Sequence, residues 1–188
     1  EIAEPTAFGL AGVARDAWET ADCGGGAELV VAENARVLGD RGRVRQAFEN
    51  LFRNAGEHAT PTSEKADGDI DGATGDARAR GETDGSALTV FVTATESGFL
   101  VADDGTGVDP ENRDSVFDSG YTTRSDGTGY GLDIVSEVVE SHGWEIDLRG
   151  AADGPIELPD GRRLRPPEGA CFEVRAPGPE DDGLWVDA

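Results

Sequence analysis

The chain has 188 residues, 37% of them hydrophobic, and sets 39 Asp and Glu against 16 Lys and Arg, for a formal net charge of −23 with Lys65 as its only lysine. That length suits one domain with a real core, and that charge repels nucleic-acid phosphates and anionic lipid surfaces, so neither is expected as a partner. Periodic apolar segments separate it from acidic disordered chains and predict a folded protein with a surface adapted to high salt, from a halophilic source. Leu10, Val13, Ala14, Ala17, Trp18 and Ala21 recur at spacings of three and four, as on one face of an amphipathic helix, with Gly24 to Gly26 ending it. Residues 28–31 and 35–38 read as short strands. The clearest helix is 43–58, where Val44, Ala47, Phe48, Leu51, Phe52 and Ala55 form a continuous stripe. Residues 61–86, rich in Gly, Asp, Thr and Ala, are expected to be a mobile surface insertion.

Residues 87–93 and 99–102 read as strands joined by a turn at 95–98. Asp109 and Pro110 suit the cap and first position of a short helix leading to Val116 and Phe117. Leu132, Val135, Val138, Val139 and His142 outline a third long helix that Gly143 closes. Residues 144–148 and 171–175 are the last strands, separated by a polar hairpin loop over 151–169. They are followed by an acidic tail, 177–188, in which Leu184 and Trp185 offer a docking point. The sum is a single α/β domain spanning 1–188: a two-layer sandwich, its sheet mixed and mainly antiparallel, with three helices on one face.

Cys23 and Cys171 stand alone, without the spacing of a zinc site or a disulfide framework, which agrees with a reducing cytoplasm. The first residues are no secretion signal, and no apolar run approaches the ~20 residues of a membrane span. The missing initial Met suggests a piece of a longer protein, with any membrane anchor upstream and no membrane contact from this domain.

Chemistry concentrates in three segments. Asn50, Asn54 and His58 fall four residues apart along the border of the apolar stripe. There an amide oxygen can ligate a hard cation such as Mg²⁺, although a pair of surface amides reads the same from this helix alone. In Val101-Ala-Asp-Asp-Gly-Thr-Gly-Val108 the glycines permit close backbone approach and the acids can accept an exocyclic amine such as that of adenine. An acidic turn is an equal reading; a calcium loop fits less well, because its alternating acids are missing. Gly127-Thr128-Gly129-Tyr130-Gly131 runs into the third helix, where free amides and the helix dipole make an anion site. It is neither a dinucleotide fingerprint, since no strand precedes it, nor a P-loop, which needs Gly-Lys-Ser/Thr.

Together these segments resemble, in order and spacing, the nucleotide boxes of the family shared by histidine kinases, gyrase B subunits, the ninety-kilodalton heat-shock chaperones and MutL-type mismatch-repair proteins. Asn50-Leu-Phe-Arg-Asn54-Ala is similar to the Asn box, and Asp103-Asp-Gly105-Thr-Gly107 to the first glycine box. Val116-Phe117-Asp-Ser-Gly-Tyr-Thr-Thr123 resembles the phenylalanine box of histidine kinases, and Gly127-Thr-Gly-Tyr-Gly131-Leu132 the second glycine box. The likeness covers about residues 6–176 apart from the insertions and implies a Bergerat-type ATP-binding fold.

By position, the resemblance implies that Asn54 holds Mg²⁺, Asp103 accepts the adenine amine, Gly105 and Gly107 shape the adenine pocket, and Gly127, Gly129 and Gly131 wrap the phosphates. Thr122, Thr123, Arg124, Thr128, Tyr130, Leu132 and His58 join the ATP-binding set. Residues 109–129 become the ATP lid, with Phe117 as its anchor. Hydrolysing relatives place a Glu one turn before the Mg²⁺ ligand; here that position is Asn50, which cannot take a proton usefully at pH 7. Glu49 lies about 100° around the helix. The site therefore resembles one that holds ATP for transfer, with Asn50 and Asn54 as its catalytic positions.

The resemblance further implies a phosphoacceptor His on a separate dimerisation domain and a response regulator downstream. His58 borders the pocket or caps its helix, His142 is packing, and neither has the acidic flank of a phosphoacceptor. Glu57 stands where many histidine kinases carry Lys or Arg, so cationic help falls to Arg124, or less directly to Arg53. An anti-sigma-factor-type serine kinase and an ATP-sensing module without transfer are the alternatives on the same fold.

Overall fold

A computed structural model describes residues 5–23, 26–32, 35–58, 88–113, 115–117, 130–158, 160–166, 169–175 and 185–186. In chain order its elements are β1 (Thr6–Gly9), α1 (Leu10–Thr20), β2 (Glu28–Val31), β3 (Arg36–Gly39), α2 (Arg41–His58), β4 (Thr89–Ala94) and β5 (Gly98–Asp103). A 3-10 turn (Pro110–Asn112), α3 (Gly131–Ser141), β6 (Glu145–Leu148) and a second 3-10 turn (Ala151–Asp153) follow. The last are β7 (Ile156–Glu157), β8 (Arg163–Leu164), β9 (Cys171–Arg175) and β10 (Trp185–Val186).

The three helices are those expected, and their ends have local causes. α1 stops at Ala21, which turns extended at φ −76° and ψ 125°, before the glycines predicted to end it. α2 begins earlier than its stripe, because Asp40 caps it. The Asp40 Oδ1 accepts the N–H of Gly42 at 2.9 Å and of Arg43 at 3.1 Å. α3 ends where Gly143 takes φ +71°, a left-handed stop that costs a residue without Cβ nothing. Asp109 precedes the Pro110–Asn112 turn as predicted, but its side chain makes no capping bond.

The main sheet runs β2-β4-β5-β9-β6; β2 and β4 are parallel and every other pair is antiparallel. This is the mixed, mainly antiparallel sheet with three helices that the sequence predicts. Val90, Val92, Phe99, Val101, Phe172 and Val174 point from it into a core shared with α1, α2 and α3. Rings run almost continuously through that core. Trp18 meets Phe52 edge-on at 5.3 Å, Phe52 stacks on Phe48 at 5.6 Å, Phe48 meets Phe99 at 5.4 Å, and Phe99 meets Trp144 at 6.0 Å. Such pairs contribute about 0.5–1.5 kcal/mol each beyond area burial.

Two features go beyond the sequence reading. β3 forms a separate sheet with β1 and β10, and the short Thr6–Gly9 strand was not predicted. Within the polar loop 151–169, β7 and β8 form a hairpin that lies on the face of the main sheet away from the helices. Ile156 and Leu164 cluster there with Leu100, Ala102 and Cys171. β5 is consequently buried along its whole length.

Candidate functional site

β5 ends in the core at Asp103, only 6% exposed. A buried carboxylate needs donors: its Oδ1 accepts the N–H of Gly105 at 2.9 Å and of Ala170 at 3.2 Å. The first bond folds the loop back on the strand end; the second fastens it to the start of β9. Gly169 lies against Asp103 so closely that a Cβ there would overlap the Asp103 backbone. Asp104 is exposed, and its Oδ1 accepts the Thr89 N–H at 2.7 Å, closing the β4 end of the same loop. Gly107 adopts φ +72°, which explains that glycine by backbone need. Sequence reasoning named Asp103, Gly105 and Gly107 but missed Ala170 and Gly169. A glycine two residues before a strand was the available signal.

On α2 the two asparagines behave differently. Asn50 is buried, donates Nδ2 to Gln46 O at 2.8 Å and accepts Arg53 Nη1 at 3.2 Å on Oδ1. Arg53 is thus engaged along its own helix. Asn54 is half-buried and faces the start of α3, where a Cβ placed on Gly131 would stand 3.0 Å from its Oδ1. The Tyr130 cap of α3 makes no side-chain bond to the first turn, and its ring is 59% exposed. Leu132 packs against the core. The α3 N-terminus and Asn54 therefore come together, as the sequence motifs require.

Val116 is buried and Phe117 meets Phe172 edge-on at 6.2 Å, so this end of the expected lid is anchored on β9. His142 is a packing residue. Its Nδ1–H donates to Val138 O at 2.7 Å, its Nε2 accepts the Asp40 N–H at 3.0 Å, and Trp144 covers the ring at 4.4 Å. Thr122, Thr123, Arg124, Gly127, Thr128 and Gly129 lie outside the described residues, as do the 61–86 insertion, the remainder of the lid, and the His58 side chain. Among the described residues no cluster of three His, Cys, Asp or Glu forms a metal site, and no helix is long and apolar enough to cross a membrane.

A helix amide facing the N-terminus of another helix, and a buried carboxylate at a strand end, are the two features the comparisons with known proteins bear on. Residues 39–180 match the family of histidine kinase-, DNA gyrase B- and HSP90-like ATPases, and the chain belongs to that family. Membership makes this an ATP-binding domain. The chain is 38% identical over 119 residues to the sensor histidine kinase ZraS of Salmonella typhimurium, covering 61% of this chain and 20% of that protein. It is 34% identical over 117 residues to the nitrogen regulation protein NtrY of Azorhizobium caulinodans, covering 61% and 13%. It thus spans a fifth or less of these relatives. Among solved structures, the mycobacterial sensor histidine kinase MprB aligns with a TM-score of 0.61 at 20% identity, over 90% of this chain and 95% of that one. The catalytic domain of histidine kinase ThkA aligns at 0.59 and 22% identity, over 93% and 96%. These structures share the fold.

Proposed function

We propose that the chain is the catalytic ATP-binding domain of a cytoplasmic sensor histidine kinase, passing the ATP γ-phosphoryl group to a His on a dimerisation domain of the same protein, with a response regulator as the next acceptor. The observation that carries this reading is the Asn54 amide against the uncapped start of α3 at Gly131. Backbone N–H groups there suit phosphate oxygens, and an amide oxygen beside them suits Mg²⁺, which takes few protein ligands when phosphates and water supply the rest. The residues present therefore fit Mg²⁺. Bound there, it would neutralise charge on the phosphates. Asp103, its Oδ1 fixed by the N–H groups of Gly105 and Ala170, is the acceptor proposed for the adenine amine. Tyr130, Leu132, Gly105, Gly107 and the lid residues Thr122, Thr123, Arg124, Gly127, Thr128 and Gly129 complete the proposed pocket.

Asn50 supports transfer over hydrolysis. It occupies the turn before Asn54, carries no base, and has both ends of its amide engaged. The protein's contribution is then positioning and electrostatic stabilisation. Calorimetric titration with Mg-ATP at high salt tests the site. Asp103→Ala is expected to weaken both ATP and adenosine, and Asn54→Ala to weaken Mg-ATP while sparing adenosine. Unchanged Mg-ATP binding in both variants would overturn the assignment.

A further inference from the structure

Arg113 follows the 3-10 turn that leads out of the Asp103–Gly107 loop, and it precedes the buried Val116 and the partly buried Phe117. Its guanidinium turns towards Gly150. It lies on the backbone of Gly150, in the space a side chain would fill: a Cβ there would overlap it. Its Nη1 pairs with Asp153 Oδ2 at 3.3 Å. That carboxylate is held in place, because Oδ2 also accepts the Gly150 N–H at 2.6 Å.

The turn carrying Gly150 and Asp153 is itself fastened to β9. Arg149 donates Nη2 to Asp153 O at 3.1 Å, pairs through Nη1 with the buried Glu173 at 3.3 Å, and donates its own N–H to Cys171 O at 2.7 Å. Polar contacts thus run from β9 through the Gly150–Asp153 turn to Arg113.

We propose that Arg113, clamped between Gly150 and Asp153, is a positioning residue for nucleotide: it fixes the turn at 108–113, which follows the proposed adenine-binding loop and precedes the anchored Val116 and Phe117. This rests on the ATP-site reading given above. Without the clamp, the Asp103–Gly105 bond and the Phe117 ring still secure the residues on either side, but the turn between them loses its tie to Gly150 and Asp153. The turn then samples positions in which the nucleotide pocket is incomplete, and apparent affinity falls by the fraction that remains competent. The Arg113 and Asp153 side chains are 28% and 41% exposed. A pair so placed is weak, so the expected effect is about three- to fivefold.

Asp153→Asn removes the charge. Gly150→Ala displaces the guanidinium while keeping both charges, and the flexible Arg113 side chain can swing aside at little cost to the fold. Each single variant is expected to weaken Mg-ATP binding about three- to fivefold with the melting temperature held within about 2 °C, and Asp153→Glu to retain wild-type affinity. Because both changes act through one guanidinium, the double variant should bind as the weaker single does, and an Arg113→Ala background should abolish both effects. Wild-type affinity in both single variants, additive losses, or losses that track the melting temperature would overturn the proposal. If Asp103→Ala abolishes binding while the clamp variants bind normally, this inference alone falls. A wild-type chain that fails to bind Mg-ATP removes the site reading and the clamp with it.

Discussion

Asn50 and Asn54 stand one turn apart on α2, and a single contact sets them to different uses. Both ends of the Asn50 amide are bonded along its own helix, whereas Asn54 Oδ1 looks across to Gly131, with no room to spare. Gly131→Ala should therefore press on the Asn54 amide, because its new Cβ would stand 3.0 Å from Oδ1. The expected result is about tenfold weaker Mg-ATP binding, near 1.4 kcal/mol, with adenosine affinity unchanged, read by calorimetry. Residues such as Asn54, Asp103, Gly107 and Gly131 were legible in sequence because a helical repeat or a strand-to-loop boundary fixes their spacing. Arg113, Asp153 and Ala170 were not: their partners lie 40 to 67 residues away, in polar segments without period. Only the fold brings those segments to the same strand.

At the level of elements, α2 and α3 are joined by a polar contact as well as by apolar packing. Asp40 caps α2 with its carboxylate while its own N–H donates to His142 at the end of α3. Asp40→Ala should cost about 1 kcal/mol, as a lost cap. His142→Phe keeps the ring but strips the Asp40 N–H of its acceptor, and should cost about 1–3 kcal/mol. Urea denaturation measures both. The helices were legible because each carries a stripe long enough for the 3.6-residue repeat to repeat itself. β1 was not, since Thr6–Gly9 offers one large side chain, Phe8, and no alternation to read; its pairing with β3 comes from tertiary contact. β7 and β8, two residues each, escaped notice for the same reason.

Across the whole molecule, the hairpin gives the sheet a second interior, and Cys171 sits fully buried in it. Burial, reinforced by the charge of Glu173, pushes its thiol up from 9.0 to about 12. The unfolded chain ionises this thiol near 9 while the folded chain holds it protonated, so the associated stability is whole below about pH 9 and is lost as pH rises towards about 12. Urea midpoints between pH 8 and 10.5 should accordingly fall more steeply for the wild type than for Cys171→Ala. The core's other boundary is drawn by His142, one of two histidines in the sequence. Its ring proton is held by Val138 O, its second nitrogen is engaged by Asp40, and Trp144 lies over its face. Those contacts suit the tautomer with the proton on Nδ1, and its exchange with solvent is expected to be slow. The protein thus carries its own spectroscopic probe: a ring-current-shifted imidazole N–H resonance that reports, without any label, whether the far ends of α2 and α3 remain joined.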